Sequence, residues 1–563
     1  MTTRIRVRPG SCRVAMEEIR KAVTAGKVAE RIRRKDHTLW KPEPTEISNR
    51  LGWLDSPSAM RERLSEIASV VRTVRNDGFG FALLLGMGGS SLAPEVFRRI
   101  FGAADGFLDL SVLDSTDPGA VLARTEQLDL KRTLFVVSTK SGGTVETFSF
   151  MKYFFNLVAE KLGAGQAGGQ FLVITDPGSA LADLSRKHRF RYTFLNDPQI
   201  GGRYSALSCF GLVPAALIGM DTGLLLKRAA EAADSEFVDA ADGGMSGVSF
   251  GAFLGDLAAR GHDKLTFLFP PTLSAFGDWV EQLIAESLGK EGKGILPVVG
   301  EELGSPSVYG PDRIFCSIRL AGETTGEAQL NALAEAGHPV IDIELADSYD
   351  LGGQCYFWEM ATAAAGWRLA VNPFDQPDVE ASKALARRMI AEYRETGAMP
   401  AETAALAGTD LSIYGELAVR KPEEVLATFL KQPKAGAYVA LQAYLTPSLP
   451  VDELLQRLRM RIRDRFQIAA TVGYGPRFLH STGQLHKGDA GRGLFIQFTA
   501  DDVRDVPIPD ELGRPESSLS FGALKQAQAF GDRKALLNAG RRAIRIHLGG
   551  KPMEGLSRLT AAL

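Results

Sequence analysis

The chain has 563 residues, well past the roughly 250–300 at which a single hydrophobic core stops growing, so it divides into several domains. Hydrophobic residues make up 45% and charged residues 23%, a globular composition that excludes a largely disordered chain. The 65 basic and 67 acidic residues leave a net charge of −2, without the basic surplus that a nucleic-acid partner asks for. No apolar run approaches the roughly 18 residues of a membrane span, and the start MTTRIRVRPG lacks a secretory h-region. Cys12, Cys209, Cys316 and Cys355 are scattered with no CxxC pair, which argues against a disulfide framework or a structural zinc site. The expected compartment is a reducing cytoplasm.

Residues 1–50 read as a helical arm and linker, with helical spacing over Val14–Ile32 and a proline-interrupted stretch at Trp40–Ile47. A recurring pattern then sets in. Phe81–Leu85 runs into GMGGSSLAPEVF, Thr133–Val137 into STKSGGTVETFSF, and Phe171–Ile174 into TDPGSALADL. Each is a continuous apolar run, a turn rich in Gly, Ser or Thr, and a helix, the signature of a parallel sheet covered on both faces. The theme returns at Leu265–Phe269 with a helix at Asp278–Leu288, and at Arg313–Leu320 and Val340–Leu345 with a helix at Tyr356–Leu369. The expectation is an α/β chain with two doubly wound parallel-sheet domains, over 51–235 and 236–400. Apolar Gly436–Leu445, an Arg-dense helix at Val451–Phe466 and a strand-like Phe466–Val472 predict a smaller C-terminal α/β region over 401–563.

Two turns suit an anion. GMGGSS at 86–91 lets the backbone approach a ligand closely and sets Ser90 and Ser91 at a helix N-terminus. It matches neither the dinucleotide fingerprint nor a Walker loop, and a plain strand-to-helix turn is the other reading. In TKSGGTVET, Thr139, Ser141, Thr144 and Thr147 crowd nine residues around two glycines, with Lys140 adding charge. Capping by Thr144 would explain one hydroxyl but not four, and ligands of doubly wound sheets bind beyond the strand carboxyl ends. In DWVEQLIAESLGK, Glu286 sits at the edge of the apolar arc, where partial burial suits a general base. The alternative is a boundary Glu paired to Lys290 at i+4. Arg203 in GGRYSALS could stabilise developing anionic charge. Lys383, near the start of a helix after NPFDQPD, opposes the helix dipole and so has either a function or a compensating acid. The seven histidines form no HxxxH or HxH pair, and neither metal nor cofactor is expected.

Together, in order, these segments resemble the phosphoglucose isomerases, built on SIS (sugar isomerase) domains. The likeness covers nearly the whole chain. RRKDHTLW…EISNRLGWLD and GYGPRFLHSTGQLHKG are similar to the isomerase half of the bifunctional transaldolase/glucose-6-phosphate isomerase branch, here without most of a transaldolase barrel. The resemblance implies reversible isomerisation of glucose 6-phosphate and fructose 6-phosphate through an enediolate, with Glu286 as base and Arg203 beside the enediol. It implies a sugar-phosphate site formed by Gly89, Ser90, Thr139, Lys140, Ser141, Thr144 and Thr147, a loop whose Gln376 and Lys383 close over the substrate, and a homodimer. Gly142 and Gly143 replace bulkier residues, leaving backbone donors. The family's ring-opening His has no counterpart in GQCYFWEMATAAAG at 353–366. Lys383, His480 and His486 are the candidates for that step, with ordinary loop polarity the other reading of the two histidines. A non-catalytic sugar-phosphate sensor and a dual phosphoglucose/phosphomannose isomerase are the alternative functions.

Overall fold

The computed structural model describes residues 4–236, 245–408, 410–431 and 433–563. Its first strand, β1 (Arg4–Arg8), lies where the sequence suggested only a helical arm. Alternating Arg with Ile and Val is the pattern of a half-exposed edge strand, and β1 pairs antiparallel with a strand of the second sheet, Val340–Leu345. The arm therefore belongs in part to the second unit. The helical stretch that follows is two helices, Arg13–Ala25 and Val28–Arg33, separated by Lys27 with φ of 48°.

The first sheet is wholly parallel. Its strands are β2 (Phe81–Gly86), β3 (Asp109–Leu113), β4 (Thr133–Ser138), β5 (Phe171–Thr175) and β6 (Tyr192–Leu195), in the order β3-β2-β4-β5-β6. Every residue of β4 and β5 is buried, as strands covered by helices on both faces require. The second sheet holds β7 (Lys264–Leu268), β8 (Leu296–Val298), β9 (Arg313–Leu320) and β10 (Val340–Leu345), in the order β1-β10-β9-β7-β8. One apolar core runs through both units and includes Trp53, Trp279 and Trp358. Trp53 packs on Tyr204 and Tyr356, with ring centroids 5.2 and 5.9 Å away.

The C-terminal region is a third sheet of β11 (Ser412–Tyr414), β12 (Tyr438–Tyr444), β13 (Ala469–Tyr474), β14 (Gly493–Thr499) and β17 (Arg542–His547), in the order β11-β17-β14-β12-β13. A two-stranded hairpin, β15 (Pro507–Ile508) with β16 (Leu519–Ser520), precedes the Phe521–Asn538 helix. This unit has its own core and docks on the first one. Phe521 stacks on Phe150 at 5.8 Å, and the buried Lys525 bridges Asp117 of the first unit and Asp502. Among the described residues no helix is long and apolar enough to cross a membrane, and no group of three or more His, Cys, Asp or Glu could hold a metal ion.

Candidate active site

From β2 the chain passes to β3 on one side and to β4, β5 and β6 on the other. Such a reversal opens a crevice at the carboxyl ends of the two diverging strands, and both hydroxyl-rich turns leave from there. After β2, Gly88 adopts a left-handed φ of 55°. A Cβ there would come within 2.9 Å of Gln282 Nε2 and of the His480 carbonyl, and a Cβ on Gly89 would run into the Gly202 carbonyl. These two glycines let the Gly202–Tyr204 turn, with Arg203, and the His480 segment close on the end of β2. Ser90 is buried, and its carbonyl accepts from Ser138 Oγ at 2.9 Å.

After β4, Thr139 Oγ1 and Thr144 Oγ1 lie 2.9 Å apart, and Gly143 N–H donates to Ser141 Oγ at 3.3 Å. Thr144 precedes the Val145–Leu162 helix but makes no side-chain cap bond, so the capping alternative does not describe it. Thr147 Oγ1 is buried without a hydrogen-bond partner. Lys140 points out of this nest: it pairs with Asp176 and donates to the Pro198 carbonyl at 2.8 Å.

Arg203, 3% exposed, forms the hub. Its Nε donates to Ser287 Oγ at 2.7 Å, Nη1 to Gln376 Oε1 at 3.0 Å, and Nη2 to the carbonyls of Pro373 and Asp375 at 2.8 and 2.9 Å. Nη1 also lies 3.3 Å from Glu286 Oε1. Glu286 projects from the Phe276–Leu288 helix and accepts from Gln282 Nε2, one turn earlier, at 3.0 Å. The i+4 pairing with Lys290 does not form. Lys290 Nζ instead donates to Asp375 Oδ1 at 2.7 Å and to the Asp375 carbonyl at 2.6 Å. Burial and the neighbouring Arg203 charge push the Lys290 ammonium down to about 8, against the pull of Asp375.

The third unit reaches into this site. Arg477, just past β13, pairs with Asp114 and Asp278, each at 3.2 Å, tying its turn to both other units. That turn delivers His480, whose Nε2 stands 2.9 Å from Glu146 Oε1 and whose carbonyl accepts from Gln282 Nε2 at 2.7 Å. Glu146 also accepts from Gln528 Nε2 at 2.6 Å. Burial pushes the Glu146 carboxyl up, but the charge and hydrogen bond of His480 outweigh it and hold the group below its ordinary value.

Two expected residues stand apart. His486 lies not in a loop but in the short Gly483–Gly488 helix, buried against the third sheet. It takes a hydrogen bond from Gln442 and packs on Phe495 at 5.0 Å. Burial, with the Lys487 and Arg541 charges, holds its imidazole well below the usual value and so neutral, and we remove it from the site. Lys383 lies in the second turn of the Val379–Thr396 helix, half-exposed, and donates to Glu380 Oε1 at 2.9 Å. Glu380 is the compensating acid that the helix dipole asked for. The Lys383 charge is felt at Glu146, with no hydrogen bond between them. Sequence reasoning did not single out Glu146, Gln282 or Gln528. Glu146 carried a signal, being the one carboxylate inside the hydroxyl cluster. The other two are ordinary helix residues in sequence and become partners only through the packing of distant units.

A family model for phosphoglucose isomerase matches residues 60–294, a span that holds both hydroxyl-rich turns, Arg203 and Glu286. The chain is similar to the glucose-6-phosphate isomerase of Rubrobacter xylanophilus, at 30% identity over 373 residues that cover 57% of this chain and 85% of that protein. It is also similar to the glucose-6-phosphate isomerase of Staphylococcus saprophyticus, at 28% identity over 60% of this chain and 86% of the relative. In fold it resembles a hypothetical protein of Thermus thermophilus (TM-score 0.59, 25% identity, 69% of this chain and all of that one). It likewise resembles a glucose-6-phosphate isomerase of Chlamydia trachomatis (TM-score 0.57, 20% identity, 68% and 86%).

Proposed function

The chain belongs to the phosphoglucose isomerase family, and from that premise we propose that it interconverts glucose 6-phosphate and fructose 6-phosphate with the residues gathered around Arg203. The observation that carries this reading is the convergence on one crevice of a hydroxyl nest, a guanidinium and a carboxylate held against that guanidinium at 3.3 Å. The phosphate binds at Thr139, Ser141, Thr144, Thr147 and Ser90, where N–H and hydroxyl donors collect. This remote binding positions the reacting carbons. Glu286 takes a proton from C1 or C2 and returns it to the other, passing through an enediolate. Arg203, fixed by five polar contacts, needs little reorganisation to offset the negative charge that develops. Gln376, held by Arg203, contributes to closing the site.

Ring opening falls to His480. Its imidazole is held 2.9 Å from the buried Glu146 carboxylate, and an imidazole can both donate and accept a proton at the sugar's ring oxygen. Lys383, paired with Glu380, is the other candidate for this step. The family resemblance further supports a homodimer, checked by a sedimentation mass near twice the 60.7 kDa of one chain, and a cytoplasmic location in keeping with the buried thiols Cys209, Cys316 and Cys355. The test of the function is a coupled assay in which fructose 6-phosphate is supplied and glucose 6-phosphate is oxidised as it forms. Turnover is expected. Sugar-phosphate binding without turnover would leave the sensor reading, and turnover of mannose 6-phosphate as well would broaden the substrate class.

A further inference from the structure

A cleft of about 450 Å³ separates the second unit from the third and shares no lining residue with the site described above. It opens at the amino ends of the strands. Lys264 begins β7, Leu296 begins β8, Tyr438 begins β12, and Arg492 immediately precedes β14. Four cations line it, Lys264, Lys293, Arg368 and Arg492, against two carboxylates, Asp263 and Asp489.

Both carboxylates are already matched. Asp263 takes the Lys264 ammonium and lies 3.3 Å from Arg492, and Asp489 lies 3.1 Å from Arg541, which stands behind the wall. Lys264 is also 3.6 Å from Asp312, and Arg368 is bound by Asp256 outside the lining, so the donors that remain are those of Lys293 and Arg492. Lys293 pairs with no carboxylate among the described residues; its ammonium donates to the Leu369 carbonyl at 2.7 Å. Arg492 places one of its five N–H donors on Asp263. The Tyr438 hydroxyl is buried beside Asp489 without a well-formed hydrogen bond.

A partly enclosed space with a surplus of positive charge and low-dielectric walls concentrates anions. Its volume falls in the range of small-molecule sites, which favour domain interfaces, and far exceeds what inorganic phosphate alone fills. We propose that this cleft is a second binding site, separate from the isomerase crevice, for a small organic phosphate. Its position makes the occupant an effector. The wall residues Gly292 to Gly294 lie in the segment that leaves the helix carrying Glu286, and Leu485 to Arg492 lie in the segment that leaves the turn carrying His480. An anion held between Lys293 and Arg492 braces both segments at once, and by linkage its affinity and that of the substrate depend on each other.

Pyridoxal 5′-phosphate serves as the probe, since it joins a phosphate monoester to an aldehyde. A lysine amine in reach condenses with the aldehyde and releases water. Borohydride then delivers hydride to the imine carbon, and solvent protonates the nitrogen, so the lysine carries a permanent mass tag. With fructose 6-phosphate present to fill the isomerase site, Lys293 of the full chain is expected to label at least about tenfold faster than exposed Lys187, because anion capture raises the local concentration of probe. Excess inorganic phosphate is expected to bring Lys293 down to the Lys187 rate, and Arg492→Glu is expected to do the same without any added phosphate. Equal rates at Lys293 and Lys187 in the unmodified chain, or labelling of Lys293 that phosphate does not slow, would overturn the proposal.

Discussion

His480 occupies a place that the sequence left open. No histidine falls in the 353–366 helix, yet a loop more than a hundred residues downstream sets an imidazole 2.9 Å from a buried carboxylate at the head of the Val145–Leu162 helix. His480→Ala is expected to cut turnover of fructose 6-phosphate, which is mostly cyclic, by about 10²–10⁴. It should have little effect on erythrose 4-phosphate, which is too short to close the corresponding ring. Equal losses on both substrates would assign the residue to binding rather than to ring opening. Lys290 gives a second handle at this scale. Its folded value of about 8 lies below the ordinary 10.5, so folding penalises the charged ammonium. That penalty is complete below pH 8 and fades as pH rises toward 10.5. Measured by thermal melts, the stability of the unmodified chain relative to Lys290→Met is therefore expected to rise between pH 8 and 10. A difference that stays flat with pH would show that Lys290 is not desolvated.

Much of the element scale was legible in the sequence, and the reason is physical. Strands buried on both faces are written as unbroken apolar runs, so the runs Thr133–Val137 and Phe171–Ile174 appear in the structure as the strands Thr133–Ser138 and Phe171–Thr175. The edge strand Arg4–Arg8 was missed because only one of its faces is covered and its five residues carry no apolar run. The site was legible where local chemistry is unusual, as in the clustered hydroxyls of 139–147, and illegible where ordinary residues meet across units. Nothing local marks Gln282 or Gln528, and His480 and His486 look alike in the sequence until packing buries one of them. The turn after β2 tests how far an element can be altered. Gly89→Ala places a methyl group against the Gly202 carbonyl, and it can be relieved only by displacing the turn that holds Arg203. A stability loss of about 1–3 kcal/mol is expected from such overpacking, accompanied by a fall in kcat/KM. Wild-type kinetics in this variant would show that the turn moves without consequence for Arg203.

At the scale of the whole molecule, three α/β units build one site. The first supplies the hydroxyl nest, Glu146 and Arg203, the second supplies Glu286 and Gln376, and the third supplies His480 and Gln528. The third unit is held to the first by the buried Asp117–Lys525–Asp502 bridge as well as by Phe521. Lys525→Ala leaves two carboxylates facing each other without their cation, a loss of about 3–5 kcal/mol for a buried pair. Urea denaturation is expected to show it, together with a lower kcat on fructose 6-phosphate as the His480 turn loosens. An unchanged midpoint would mean that the units are joined by their apolar contacts instead. The central claim, that proton transfer by Glu286 drives the isomerisation, is tested most directly by Glu286→Gln, which keeps the shape and removes the proton acceptor. Turnover of fructose 6-phosphate is expected to fall by about 10²–10⁴, with calorimetric affinity for the non-reactive glucitol 6-phosphate retained, whereas turnover close to wild type with the same affinity would contradict it.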